Sequence, residues 1–154
     1  MSALALSRRL LPAAALLPVC ALAATDPAAE ARGLFARFVA AQNAHDFAAV
    51  RALLWDSPRF LWVSDGTGYW GPEALIRRNM GFHAQPLWRI TPGEGEAVAV
   101  NPGTALLHTP LLLEVGSLAA PQRYRLLISA LCTETAAGWR IAALLTADAK
   151  PAPG

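Results

Sequence analysis

Three histidines are the side chains best suited to proton transfer near neutral pH, and they are far apart in the sequence. His83 follows Ile76 and Met80 along one face of a predicted helix, where it could act as a general base or hydrogen-bond a ligand. Alternatively, it could interact as a cation with the helix C-terminus. His108 lies in a predicted strand whose opposite face is more apolar, which favours an outward orientation. The spacing of His45, His83 and His108 in the sequence is not typical of metal ligands, so no metal site is predicted.

Two other groups with possible chemistry have simpler structural interpretations. Asp65 begins the turn sequence Asp65-Gly66-Thr67-Gly68, where its carboxylate is expected to accept backbone N–H groups. Cys132 lies among apolar strand residues and is predicted to be a buried, unreactive side chain. The sequence contains no phosphate-binding loop, dinucleotide fingerprint or serine nucleophile elbow. We therefore assign no cofactor, and the catalytic residues, if there are any, stay unknown.

The elements that must position these groups are three helices followed by strands. A first helix is predicted from about Ala28 to Ala44, Asp46 is a good N-cap for a second, and Pro72 suits the first position of a third. Between the last two helices, the segment from Arg59 to Ser64 alternates like a strand. From Leu87 onward the pattern indicates strands only, over 87–91, 94–101, 104–115, 122–135 and 139–147. This order predicts an α+β fold in which three N-terminal helices pack on one face of a curved antiparallel sheet.

The N-terminus has the pattern of a cleavable signal peptide over residues 1–23. Arg8 and Arg9 precede an apolar run that ends in Ala21-Leu22-Ala23, a small-x-small cleavage sequence. The run is too short and too interrupted by proline for a stable membrane anchor. The sequence therefore predicts a periplasmic or secreted protein, with one domain over 24–150 and a tail over 151–154. Export by the general or the twin-arginine route stays open.

Cleavage after Ala23 changes the charge and the cysteine count. It removes two arginines and no acid, so the formal net charge of +2 falls to about 0. No basic face is then expected that would indicate a nucleic-acid partner. Cys20 is also removed, which leaves Cys132 without a partner for an internal disulfide.

Three segments of the mature chain resemble the nuclear transport factor 2-like superfamily, in its SnoaL-like bacterial branch. They are Phe38–Phe47, where an acidic residue starts the second helix, the glycine-led Gly68–Ile76, and the final-strand segment Gly138–Ala142. The resemblance covers about Ala28 to Asp148. It implies a cone-shaped fold with a pocket between the helices and the concave sheet, and frequent homodimers through the outer sheet face. Members include isomerases, dehydratases and polyketide cyclases as well as proteins of unknown activity.

In such a fold the aromatic residues of this chain would make the pocket apolar. We expect the ligand-binding residues to include Phe35, Trp62, Tyr69, Met80 and His83. Ordinary core packing is the alternative for each of them. Further aromatic candidates are Trp55, Trp70, Phe82 and Trp88.

The sequence departs from catalytic relatives at two places. Related isomerases carry an aspartate inside the first strand, where this chain has Phe60, Leu61, Trp62 and Val63. Many relatives carry histidines on the face of the final-strand tryptophan, where strict alternation from Trp139 gives Ala143 and Leu145. By the same alternation, Thr146 and Asp148 are expected on the other face.

These observations predict a domain that binds a small hydrophobic molecule, or an accessory domain with an apolar pocket. An enzyme of the isomerase, dehydratase or cyclase type is the first alternative, and it would use His83, Tyr69 or Asp65. A protein-interaction domain is the second. A homodimer is expected because the strands from Thr104 onward carry apolar residues on both faces.

Overall fold

The computed structural model describes residues 26 to 150, so the predicted signal peptide and tail lie outside the described residues. Three helices lie within these residues: α1 spans Pro27–Asn43, α2 spans Phe47–Leu53, and α3 spans Pro72–His83 after the first two strands. The Asp26 carboxylate accepts from the N–H of Ala28 at the start of α1, and the Asp46 carboxylate accepts from the N–H of Ala49 in α2. The N-cap expected at Asp46 is therefore present, and it fixes where the second helix begins.

Seven strands within residues 26–150 form one sheet: β1 Leu61–Ser64, β2 Thr67–Trp70, β3 Leu87–Pro92, β4 Glu96–Asn101, β5 Thr104–Gly116, β6 Pro121–Thr135 and β7 Gly138–Asp148. Their order across the sheet is β2-β1-β7-β6-β5-β3, and β4 also pairs with β5. The α+β class with three helices on a curved sheet is confirmed. The sheet is mixed rather than wholly antiparallel, because β1 runs parallel to β7. No hairpin joins these two strands, so chain connectivity does not force them to be antiparallel.

The core lies between the helices and the concave face of the sheet. In β1 and the residue before it, Phe60, Trp62 and Ser64 are buried, whereas Leu61 and Val63 are partly exposed. The predicted alternation of this strand is therefore correct. Side chains from α1, such as Leu34 and Phe38, and from the long central strands complete the same core.

Strand β7 contains a bulge that the alternation pattern did not predict. Cys132 of β6 pairs with Ile141, but the preceding Leu131 pairs with Ala143, so Ala142 is an extra residue in β7. One extra residue reverses the faces of every residue after it. The expectation that Leu145 shares the inner face with Trp139 is therefore wrong, and Leu145 is 43% exposed.

Helix α3 presents a different face to the core from the one expected at Met80. Its buried residues recur at helical spacing, and they are Pro72, Leu75, Ile76, Asn79 and His83. Met80 is 54% exposed and points away from the core, which corrects its assignment as a ligand-binding residue. Both Asn79 and Met80 are compatible with helical spacing, and the choice between them depends on how α3 is rotated against the sheet. No helix within residues 26–150 is long and apolar enough to cross a membrane.

Candidate functional site

A cavity of about 480 Å³ lies between α1, α3 and the concave face of the sheet. Its wall is mainly apolar. Strands β3, β5, β6 and β7 contribute aliphatic residues such as Ile90, Leu111, Ile128 and Leu144. The helices and two strands contribute the aromatic rings of Phe35, Phe38, Trp62, Phe82 and Trp88.

Only two of the five predicted ligand-binding residues line the cavity. Phe35 and Trp62 line the cavity and are 5% and 7% exposed. Tyr69, Met80 and His83 do not line it. The Tyr69 ring lies on the Trp62 ring, with centroids 5.0 Å apart, so it supports a wall residue from behind. Of the other aromatic candidates, Phe82 and Trp88 line the cavity, and Trp55 and Trp70 do not.

His83 is buried beside the cavity wall, at the contact of α3 with the end of α1. Its Nε2 lies 3.0 Å from Oε1 of Gln42, and its Nδ1 lies 3.0 Å from Nδ1 of His45. The indole of Trp88 covers its ring, with centroids 4.2 Å apart. Burial, reinforced by His45, lowers the pKa of His83 to about 4. The imidazole is therefore neutral near pH 7, and its expected role as a cation at the helix C-terminus is wrong.

The hydrogen bonds of His83 define its tautomer. A side-chain amide oxygen only accepts, so Nε2 of His83 donates to Gln42. Neutral Nδ1 of His83 then accepts from Nδ1–H of His45. These two hydrogen bonds hold the side-chain oxygen of Gln42 against α3. They leave the amide NH₂ of Gln42 for other partners.

Two buried polar residues in the cavity wall, Gln42 and Asn79, were missed as site residues, whereas Ser64 was expected on the same inward face as Trp62. Gln42, Asn79 and Ser64 all line the cavity and are 3%, 5% and 9% exposed. A polar residue within an apolar helical stripe is the signal that could have identified Gln42, which continues the α1 stripe containing Phe35 and Phe38. Helical spacing alone could not show that Asn79, rather than Met80, faces the cavity.

The β7 bulge brings a second polar group to the cavity. Leu144, Thr146 and Asp148 line it, whereas Ala143 and Leu145 do not. The Trp62 indole N–H donates to Oγ1 of Thr146 over 3.4 Å. Ala143 and Leu145, which strict alternation matched to the histidine positions of catalytic relatives, therefore do not face the cavity. The inward positions still carry no histidine.

Asp65 lies at the open end of the cavity, in the turn between β1 and β2. Its carboxylate accepts from the Arg78 guanidinium at 2.9 Å, not from backbone N–H groups of the turn as expected. Arg78 also lies 5.2 Å from the ring centroids of Tyr69 and Phe82. The ion pair and these cation–π contacts tie α3 to the β1–β2 hairpin at the cavity mouth.

His108 and Cys132 are remote from the cavity. His108 is exposed on the outer face of β5, as expected, and its Nδ1 lies 3.0 Å from Oγ of Ser129. Cys132 is fully buried, and burial raises the pKa of its thiol to about 12. Within the part of the chain that the structure describes, no group of three or more His, Cys, Asp or Glu residues could hold a metal ion.

Comparison with known proteins identifies the architecture. No protein-family model matches the sequence, and no curated protein matches it significantly. Solved structures do match. A nuclear transport factor 2-like superfamily protein from Salmonella enterica superimposes with a TM-score of 0.71, at 12% identity over 81% of this chain and 92% of that one. This chain has the nuclear transport factor 2-like fold.

Two further solved structures support the same conclusion. An uncharacterized protein with a cystatin-like fold from Caulobacter vibrioides gives a TM-score of 0.70, at 18% identity over 81% of this chain and 91% of that one. A ketosteroid isomerase-like protein from Erwinia carotovora gives 0.66, at 16% identity over 82% of this chain and 98% of that one. The nuclear transport factor 2-like fold supports many activities, so the cavity, rather than the fold, indicates the function of this chain.

Proposed function

We propose that this chain is an exported domain that binds a small, largely apolar molecule in the cavity between its helices and sheet. The observation that carries the proposal is the cavity itself, with a volume of about 480 Å³ and walls of aliphatic and aromatic side chains. Small-molecule sites in proteins are commonly about 300 to 1,000 Å³ and mainly apolar, with a few polar groups that orient the ligand. The resemblance to the SnoaL-like branch supports the proposal, because that branch implies a pocket of this kind.

The wall chemistry favours binding over proton transfer. A general base must reach the reacting proton within hydrogen-bond distance. His83 is neutral but lies behind the wall, with both ring nitrogens in hydrogen bonds. The Asp65 side chain is 74% exposed and paired with Arg78 at the mouth. Asp148 also lines the cavity but is exposed at its edge. An isomerase, dehydratase or cyclase stays the alternative, and it would have to use one of these exposed carboxylates.

We propose that a second copy of the chain binds to the outer face of the sheet. Val98 and Leu106 are neighbours on adjacent strands there, and Leu145 lies two strands farther across the same face. They are 46%, 38% and 43% exposed. Such an apolar patch also fits the protein-interaction alternative. We favour a homodimer because β4 to β7 extend this face as one continuous surface, and two copies could pair the same patch about a twofold axis.

Native mass spectrometry of the exported protein tests binding and processing together. Purified gently from the periplasm or medium, the chain should begin at Ala24 or Thr25 and carry a small apolar molecule released on denaturation. A mature chain that begins at Met1 would contradict export with cleavage. Chemical conversion of the released molecule by the purified protein would favour the enzyme alternative. An empty protein that also fails to take up any apolar compound would contradict the binding proposal.

A further inference from the structure

Two buried amide side chains interrupt the apolar wall of the cavity. Gln42 comes from α1 and Asn79 from α3, and they are 3% and 5% exposed. Both line the cavity. Burying an amide without a hydrogen bond is unfavourable, so a pair of them in an apolar wall requires an explanation.

His83 brings the two amides to the same region of the wall. Asn79 precedes His83 by one helical turn on the buried face of α3. Gln42 accepts from Nε2 of that same His83 over 3.0 Å. Both amides therefore lie next to His83, where α1 meets α3 beside the cavity.

The hydrogen-bonding capacity of these amides is only partly used. Among residues 26–150, the Gln42 side chain hydrogen-bonds only through Oε1, to His83, and no hydrogen bond joins the Asn79 side chain to a protein group. A further donor, Nε1–H of Trp88, is buried without a partner, and the Trp88 ring both lines the cavity and lies against His83. The unused capacity is thus dominated by N–H donors, which require an acceptor.

We propose that Gln42 and Asn79 form a subsite that recognises a carbonyl oxygen of an otherwise apolar ligand. An uncharged acceptor fits best, because the adjacent groups are neutral. His83 is uncharged near pH 7, and the Arg78 guanidinium is paired with Asp65 at the mouth. A carboxylate buried beside neutral amides would lack a counter-ion. This inference rests on the proposed function, since it names the ligand chemistry of the same cavity.

The test compares acetylnaphthalene with ethylnaphthalene, which have the same apolar ring system but differ in the carbonyl. Calorimetric titration of the wild-type domain should show tighter binding of the ketone, roughly 5- to 10-fold for each hydrogen bond gained. Gln42→Met and Asn79→Leu should each weaken ketone binding by about that factor, and the double variant should bind both compounds alike. Neither substitution should weaken binding of ethylnaphthalene.

Gln85→Met is the matched control, because Gln85 lines the same cavity but is exposed at its rim. Its preference for the ketone should equal that of the wild type. Asn79→Leu keeps the test valid if loss of the His83 bond prevents Gln42→Met from folding, since the Asn79 side chain has no hydrogen-bond partner within residues 26–150 to lose. Equal wild-type affinity for the two compounds, or equal weakening of both by the variants, would overturn the subsite while leaving the binding function intact. Failure of both compounds to bind would overturn the subsite together with the proposed function.

Discussion

At the scale of single residues, the cavity depends on which side chains are neutral and which are paired. His83 is held between Gln42 and His45 as a neutral ring, so its protonation is coupled to folding. Its pKa is about 4 in the folded chain against an ordinary value of 6.5. A histidine with a depressed pKa contributes stability above pH 6.5 that is lost progressively as the pH falls toward 4.

We therefore expect acid to destabilise this protein partly through His83. Between pH 7.5 and pH 4.5, the free energy of unfolding of the wild type should fall by about 2.5 kcal/mol more than that of His83→Gln. Urea unfolding at both pH values measures this difference. His108→Gln removes an exposed histidine and should keep the full wild-type pH dependence. If His83→Gln also retains the full wild-type pH dependence, burial does not hold the His83 imidazole neutral.

Trp62 should contribute to stability as well as to the cavity wall. It is 7% exposed, and its ring contacts Tyr69 and hydrogen-bonds to Thr146. Trp62→Ala should lower the free energy of unfolding by about 3 to 5 kcal/mol, because a large buried ring leaves a cavity behind. Trp70→Ala is the matched control, since Trp70 is 63% exposed, and its effect should be within about 0.5 kcal/mol. Equal losses from the two variants in denaturant unfolding would mean that Trp62 is not a wall residue.

At the scale of elements, local patterns predicted most of the fold and failed where tertiary packing decides. The cap at Asp46, the proline start of α3 and the alternation of β1 are local signals, and all three are present. The bulge at Ala142 has no glycine or proline to mark it. The rotation of α3 that buries Asn79 instead of Met80 depends on the sheet beneath it. Phe35 and Trp62 could thus be predicted from local patterns, whereas the inward positions of Asn79 and Thr146 could not.

The β1–β2 hairpin positions both Trp62 and Asp65, and its turn requires left-handed backbone. Asp65 and Gly66 have φ values of 51° and 71°, as in the two-residue turns that match the twist of paired strands. Gly66→Ala should destabilise the protein by about 1 to 2 kcal/mol from backbone strain alone, because an added Cβ meets nothing within 4 Å. At Gly68, where φ is not positive, Gly68→Ala should change stability by less than about 0.5 kcal/mol. Thermal unfolding that ranks the two variants in the opposite order would contradict this turn geometry.

At the scale of the whole molecule, the helices cover only the concave face of the sheet. The outer face keeps Leu106 and Leu145 exposed, and we expect a second copy to cover them. Light scattering should therefore give a dimer at micromolar concentration, and Leu106→Glu should convert it to a monomer by placing an unpaired charge in the interface. Leu118→Glu, at a loop residue that is 73% exposed, should stay dimeric. A wild-type monomer under these conditions would contradict the proposed dimer.

Adjacent residues of β7 can show whether the space between the helices and the sheet is a binding site. Because of the bulge, Leu144 is 5% exposed and lines the cavity, whereas Leu145 faces outward and is 43% exposed. Leu144→Trp should place a large ring in the cavity and weaken binding of ethylnaphthalene in a calorimetric titration, with folding confirmed by circular dichroism. Leu145→Trp should bind it like the wild type. Undiminished binding by a folded Leu144→Trp protein, or loss of binding only in Leu145→Trp, would contradict the account.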